Sequence, residues 1–266
     1  MKTQTLRFGY FTAAILAISF GQAKAGTYNG AGQMVGSAET SRYAATRVTR
    51  WDGMTATDLG TLGVSSSIAC SINNAGQVAG QASIVGNAAP HATRWDGNTQ
   101  TDLGTPGRAE SYAHGINDSS QVVGYGSTAG DATLKAARWN GNTATVLSTP
   151  GGTNSYAIAI NNIGQTAGCA DPVGNGGART TLRNGTTVTN LNSFLPASVT
   201  SAGWSLTQAV SINKNTSIVG TAVNFRTVAY SGSSLTMNPV PEPEGYALML
   251  AGLGGLGFIA RRRKSP

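Results

Sequence analysis

"INNAGQVAG", Ile72 to Gly80, is the stretch whose reading decides the fold, because the chain keeps returning to it. "YNGAGQMVG" starts at Tyr28, "INDSSQVVG" at Ile116, "INNIGQTAG" at Ile160 and "INKNTSIVG" at Ile212. The asparagine leading each turn falls at Asn29, Asn73, Asn117, Asn161 and Asn213, so the spacings are 44, 44, 44 and 52. Two other landmarks keep the same step. One runs Trp51-Asp52-Gly53, Trp95-Asp96-Gly97, Trp139-Asn140-Gly141, Arg183-Asn184-Gly185 and Tyr230-Ser231-Gly232; the other is Leu59, Leu103, Leu147 and Leu191. A fixed period of this size marks a repeat architecture.

Each unit parses into four short strands. In the second, "SSIACSI" and "QVAGQASI" flank the turn "NNAG", and "HATRW" and "TQTDL" flank "DGN". Asp-Gly and Asn-Gly between strands predict tight hairpins of type I′, whose two central residues need positive φ. Four strands in about 44 residues is the size of a propeller blade, and the faces of such a sheet need neighbours to cover them. The expected fold is all-β: a five-bladed β-propeller of four-stranded antiparallel blades, with an open β-solenoid as the other arrangement. The first unit lacks most of its opening strand and the last is shortened. The fifth unit follows an eight-residue insertion within "NSFLPASVTSAGW", where Phe194, Leu195 and Trp204 suggest a short helix plugging the ring. The pattern A-x-x-I-N-x-x-G-Q-V-V-G, then H-A-x-x-W-x-G and L-G-T, resembles the HAF family of extracellular repeats. His91-Ala92 keeps the His-Ala pair and the other units depart from it. The resemblance implies repeat architecture and location, and no reaction.

The two ends carry addresses. Residues 1–25 read as a cleaved signal peptide: Lys2 and Arg7, an apolar "YFTAAILAISF", and Ala23-Lys24-Ala25 as a small-x-small cleavage site. The repeat domain then covers 26–239 and the tail 240–266. Tyr246 to Ala260 is an uncharged apolar run followed at once by Arg261-Arg262-Arg263-Lys264. Fifteen residues at roughly 1.5 Å each give about 22 Å of helix, short of a ~30 Å hydrocarbon core. The tail thus predicts a short transmembrane helix that makes a brief stop, with its arginines on the cytoplasmic side. Val240-Pro241-Glu242-Pro243, the short apolar helix and the arginine cluster together resemble the PEP-CTERM sorting signal of Gram-negative bacteria. That resemblance implies an exported protein, transient anchoring in the inner membrane, and a membrane-embedded exosortase as partner, often in organisms that make exopolysaccharide. An ordinary tail anchor is the plainer alternative.

The formal charge of +7 overstates the folded part. Residues 26–239 hold 11 basic and 9 acidic side chains, which excludes the basic stripe of a nucleic-acid binder. Only 11% of the chain is charged and 36 of its 266 residues are glycine, a turn-rich composition. Cys70 and Cys169 lie in non-adjacent units at different phases and are expected as two separate thiols.

Four residues before each Trp landmark stand Arg47, His91, Lys135, Arg179 and Arg226. Positions i and i−4 share a strand face, so these form a candidate ligand-binding ring for acidic polysaccharide or lipid headgroups; a solvated position that simply repeats is the plainer reading. The tryptophans read as residues packed between blades, with sugar platforms as the alternative. The Asx residues are explained by turn chemistry. Metals and cofactors are not expected, with two histidines and no calcium-type loop. Catalysis is not expected either. Glu39, Glu110, Asp118, Asp131 and Asp171 have no evident partners in sequence, no G-x-S-x-G elbow occurs, and His114 would be a sole base. The expected function is a non-catalytic surface or matrix protein associated with exopolysaccharide; the competing class is a propeller-fold glycoside hydrolase or lyase.

Overall fold

Short runs of Val, Ile, Thr and Tyr broken by Asn- and Gly-containing turns make strands in fours. The computed structural model describes residues 20–231, apart from 41–44, 86–88, 129–132 and 226–228. Five sheets follow one another along the chain. The first holds β1 (Phe20–Tyr28), β2 (Met34–Thr40), β3 (Thr46–Asp52) and β4 (Thr55–Asp58). The second holds β5 (Gly63–Ile72), β6 (Val78–Ile84), β7 (Pro90–Asp96) and β8 (Thr99–Asp102). The third holds β9 (Gly107–Ile116), β10 (Val122–Thr128), β11 (Leu134–Asn140) and β12 (Thr143–Val146). The fourth holds β13 (Gly151–Ile160), β14 (Thr166–Pro172), β15 (Arg179–Asn184) and β16 (Thr187–Asn190). The fifth, among the described residues, holds β17 (Trp204–Ile212), β18 (Ile218–Asn224) and β19 (Ala229–Ser231). Among the described residues, the strand pairings are antiparallel between sequence neighbours.

The apolar core is divided among the interfaces between successive sheets. Val35, Val48 and Leu59 meet Ile72, Val78 and Trp95, and Ala79, Ala92 and Leu103 meet Ala113, Val122 and Trp139. Val123, Ala136 and Leu147 meet Ala157 and Ile160, and Leu182 and Leu191 meet Leu206, Ala209 and Ile212. Successive sheets bury their facing sides against one another, which is why one unit alone is not a stable body.

A hydrogen-bonded spine joins the turn ends. Asn73 shows the pattern. Its Oδ1 accepts from the backbone N–H of Ala75 and Gln77, at 3.1 and 2.9 Å, which is turn chemistry. Its Nδ2 donates to Gln77 Oε1 in the same turn and to the carbonyl of Asn117 in the next unit, at 2.8 and 3.0 Å. The same rung runs from Asn29 to Asn73, from Asn117 to Asn161 and from Asn161 to Asn213, at 2.9, 3.1 and 3.1 Å. The turn asparagines therefore stack the sheets as well as shaping the turns. A second stitch comes from Ser67, Ser111 and Ser155. Their hydroxyls accept from the N–H of Val48, Ala92 and Ala136 in the preceding sheet, at 3.0, 2.9 and 2.9 Å.

The hairpin expectation is corrected by one residue. Asp52 pairs with Thr55, and Asp96 with Thr99, so the two-residue loops are Gly53-Met54 and Gly97-Asn98. Gly53, Gly97, Gly141 and Gly185 have φ of 58, 56, 60 and 58°, while the residue after each is not among those with positive φ. These are turns of type II′, in which glycine fills the first central position, and the Asp or Asn ends the strand.

The insertion does not plug a ring. It forms a 3₁₀ turn (Leu191–Phe194) and a short helix, α1 (Ala197–Ser201), that pack against β15 and β17. Leu191 and Leu195 join the core between the fourth and fifth sheets, and α1 buries none of its residues. β1 begins inside the expected signal peptide, pairing Ala23 with Ala38 and Ala25 with Gly36. Cutting after Ala25 would leave three of its nine residues. The tail, including the expected transmembrane helix, lies outside the described residues; among those that are described, no helix is long and apolar enough to cross a membrane.

Trp95 and Trp139 are fully buried between sheets. The Trp95 indole N–H donates to the Gly60 carbonyl, at 3.2 Å, in the connection arriving from the preceding sheet. Arg183 takes the same position in the fourth unit and is 2% exposed. Its Nε donates to the Ser148 carbonyl at 3.0 Å, reproducing the indole's bond, and its Nη1 donates to Thr181 Oγ1 at 3.1 Å, while Nη2 has no partner. Burial pushes this guanidinium down to about 10, still charged at neutral pH, with no carboxylate paired to it among the described residues. A buried charge without a counter-ion is destabilising relative to an apolar side chain of similar volume. Arg183→Met is therefore expected to raise stability by about 1–2 kcal/mol in urea denaturation; a loss of stability would show that the two hydrogen bonds outweigh the charge.

Candidate functional site

The spine and core residues recur at the repeat period. The residues facing a cleft across the third, fourth and fifth sheets do not. Its volume is ≈ 420 Å³, and it is lined by His114, Tyr125, Tyr156, Ile158, Cys169, Ala178, Thr207 and Gln208. The positions of Tyr112, His114 and Tyr125 in the third unit hold Ile68, Cys70 and Gln81 in the second, and Tyr156, Ile158 and Cys169 in the fourth. The positions of His114 and Tyr125 thus carry different chemistry in each of these units, while the tyrosine of Tyr112 recurs at Tyr156.

The third-unit aromatics are held by the bulge where β9 crosses β10, between Val123 and Gly124. Tyr125 sits at the centre. Its ring is 5.0 Å from Tyr112 and 5.2 Å from His114, at 31° and 21°, and 4.9 Å from Tyr156 of the next sheet, edge-on at 82°. Offset and edge-to-face contacts at these separations are favourable. Glu110 anchors the edge of the stack, accepting from Tyr112 Oη at 3.0 Å and Ser127 Oγ at 3.1 Å. Burial, with Glu110 as hydrogen-bond partner, pushes the Tyr112 hydroxyl up to about 12. Burial also raises Tyr125 and Tyr156, so all three are protonated donors at neutral pH. Burial lowers His114, which leaves its imidazole neutral. Cys169 is 5% exposed and its thiol is pushed up to about 11 by burial, so it forms an apolar wall rather than a nucleophile. It and Cys70 are separate free thiols, as expected from their phases. Among the described residues, no lysine, arginine, aspartate or glutamate lines the cleft.

The four described residues of the set named from the sequence, Arg47, His91, Lys135 and Arg179, lie elsewhere, at one register on the third strands, and each of these is engaged. Arg47 is 3.7 Å from Asp58, and His91 Nδ1 is 2.9 Å from Asp102, each on the neighbouring strand of its own sheet. Lys135 Nζ donates to the carbonyls of Gly152 and Thr153, and Arg179 Nη1 to Ser205 Oγ at 2.9 Å, each in the next sheet. Arg226 lies outside the described residues. The carboxylates are scattered. Asp118 accepts from the backbone and side chain of Asn74, both at 2.9 Å, and from Asn162 at 2.7 Å, which lowers its pKa. Asp171 holds Asn154 at 3.0 Å and Glu39 lies on β2. Asp131 is outside the described residues. Among the described residues no group of three His, Cys, Asp or Glu side chains is placed to hold a metal ion.

The sequence reading missed Tyr112, Tyr125 and Tyr156. Overlaying the units and asking where they disagree would have found them, since the aromatic positions vary while the turns and tryptophans persist.

The comparison that bears on destination concerns the end of the chain. Residues 239–264 match the PEP-CTERM protein-sorting motif. The motif marks an exported protein with a C-terminal membrane-anchoring signal that is recognised by exosortase-type processing. No curated protein matches this chain in sequence. Among solved structures, the chain is similar to the crystal structure of TolB from Acinetobacter baumannii, at 12% identity and a TM-score of 0.49 over 82% of its length. The chain spans 56% of the length of that structure.

Proposed function

We propose that this chain is an exported, non-catalytic protein of five propeller-type blades that associates with exopolysaccharide at the cell surface or in the extracellular matrix, and that the cleft is where it holds the sugar chain. The observation that carries the reading is the tyrosine and histidine stack. Tyr125 and Tyr156 present ring faces and edges to a pyranose, and their hydroxyls, the His114 imidazole and the Gln208 amide have no hydrogen-bond partner among the described residues. A concave site lined by aromatic side chains with a few convergent polar groups is the usual form of a small-ligand site. The absence of charge in the lining favours a neutral sugar unit. A glycosidase would need two facing carboxylates, and the described lining of the cleft holds none. The HAF-like pattern of the repeats agrees with an extracellular module, and the tail supplies the address.

In affinity electrophoresis against neutral and acidic exopolysaccharides, Tyr156→Ala is expected to weaken binding by on the order of tenfold, about 1.4 kcal/mol, with its melting temperature monitored alongside. A variant with Arg47, Lys135 and Arg179 all changed to alanine is expected to bind as the wild type does. Equal binding by Tyr156→Ala, or loss only in the triple variant, would move the site from the cleft to the cations.

A further inference from the structure

The spine has two unfinished ends, and they are complementary. Four of the five turn asparagines donate Nδ2 to the carbonyl of the next turn asparagine. Asn213, the fifth, keeps its own turn, accepting from the N–H of Asn215 and Ser217 at 2.9 and 2.8 Å. Its Nδ2, however, has no partner among the described residues, and the side chain is exposed where its counterparts are 2–7% exposed. At the other end, the carbonyls of Asn73, Asn117, Asn161 and Asn213 each accept a rung from the unit before, whereas that of Asn29 accepts only the turn bond from Gly32.

Two other features mark the same faces. Val210 is 47% exposed, while the equivalent Cys70, His114 and Ile158, each with a sheet following, are half-buried. Trp51 is half-buried, while Trp95 and Trp139 are fully buried beneath the connections arriving from the preceding sheets. Among the described residues, no extensive packing joins the fifth sheet to the first. Among the described residues, the chain thus presents an unused donor with an exposed valine at one end, and a carbonyl with spare accepting capacity beside a half-buried tryptophan at the other.

We propose that the two ends join copies of this chain head to tail: the fifth sheet of one copy packs on the first sheet of the next, and Asn213 Nδ2 donates to the Asn29 carbonyl of that neighbour. The contact is heterologous, with different surfaces on each partner, so it extends into a chain of copies rather than stopping at a two-fold dimer. It is weaker than the first three internal junctions. Inside the chain a parallel ladder runs from Gly30 N–H to Asn74, from Asn74 N–H to Asp118 and from Asp118 N–H to Asn162, at 2.8, 2.9 and 3.1 Å. At the junction that ladder stops, because Gly30 has no side chain to accept from the neighbour.

Sedimentation velocity on the secreted chain over a concentration series tests the proposal, with Asn213→Asp as the probe. Aspartate keeps both turn acceptors, removes the Nδ2 donor and sets a carboxylate against the neighbour's carbonyl. The wild type is expected to grow in mean mass with concentration. Asn213→Asp is expected to need at least tenfold higher concentration for the same mass, at an unchanged melting temperature. Asn117→Asp, which breaks an internal rung, is expected to melt lower without losing association. A wild type monomeric throughout, or association untouched by Asn213→Asp, overturns the proposal. So does a monomeric wild type whose melting temperature falls with Asn213→Asp, since that result means the ring closes on itself.

Discussion

Gly124→Ala is expected to lower stability by about 3 kcal/mol or more, a fall of roughly 6–12 °C in melting temperature for a domain of this size. A Cβ built on Gly124 lies 1.8 Å from the Tyr112 carbonyl oxygen and 2.9 Å from the Ala113 Cα. Both obstacles are backbone, so no rotamer change relieves them. The cause is the bulge in β9, which brings the first strand's carbonyl over the second strand. The same approach occurs at Gly80, Gly168 and Gly220, at 2.0, 2.0 and 2.3 Å from the carbonyls of Ile68, Tyr156 and Gln208. Gly141 is the control: its φ is 60°, and nothing lies within 4 Å of its Cβ position. Alanine there meets only backbone strain, about 1 kcal/mol. Chemical denaturation of both variants separates the two effects. A Gly124→Ala protein as stable as Gly141→Ala would mean that the bulge relaxes freely.

The second large effect is expected from Asn117→Ala, again about 3 kcal/mol. This side chain, 2% exposed, makes four hydrogen bonds. Its Oδ1 accepts from Ser119 and Gln121 N–H at 3.1 and 2.9 Å, and its Nδ2 donates to Gln121 Oε1 and the Asn161 carbonyl at 2.9 and 3.1 Å. Each bond adds about 1 kcal/mol net, and removing one partner leaves buried groups unsatisfied. Asn213→Ala loses only the two turn bonds at an exposed site, so its effect on the isolated chain is expected to be less than half as large. Equal losses at the two positions would show that the turn alone, and not the rung to the next sheet, accounts for the stability.

These two positions show how far the sequence could be read. The glycine ending "INNAGQVAG" is visible at the period, and so is the asparagine that opens the turn, but neither reveals its second task. The turn role of Asn117 is local, within four residues. Its bond to Asn161 spans 44 residues and exists only because two sheets stack in register. The hairpins were legible to within one residue: Asp-Gly marks the turn, and pairing of Asp52 with Thr55 decides that glycine leads it. The insertion was legible as apolar, but whether Leu191 and Leu195 fill an axial opening or the space between sheets depends on where β15 and β17 lie.

At two turns the period breaks with a visible compensation. Ser120 and Thr216 hold φ of 61° and 63° where the other units use glycine. Their hydroxyls donate at 2.6 Å to Gln77 Oε1 and Gln165 Oε1 of the preceding units. A side chain in a backbone region that suits glycine is tolerated here because it adds a bond between sheets.

By itself, the sequence determined the repeat of five units, the four-strand pattern of the second to fourth and the sorting tail, because alternation, turn residues and terminal apolar runs are properties of near neighbours along the chain. Only the tertiary structure decided that Arg47, His91, Lys135 and Arg179 are engaged by Asp58, Asp102, backbone carbonyls and Ser205, and that Tyr112, His114, Tyr125 and Tyr156 converge beside one cleft. It also decided that Asn213 Nδ2 has no partner among the described residues. Those outcomes turn on how one sheet lies against the next. Contacts between non-equivalent positions of stacked units depend on bulges and register, which a repeat read along one dimension does not contain.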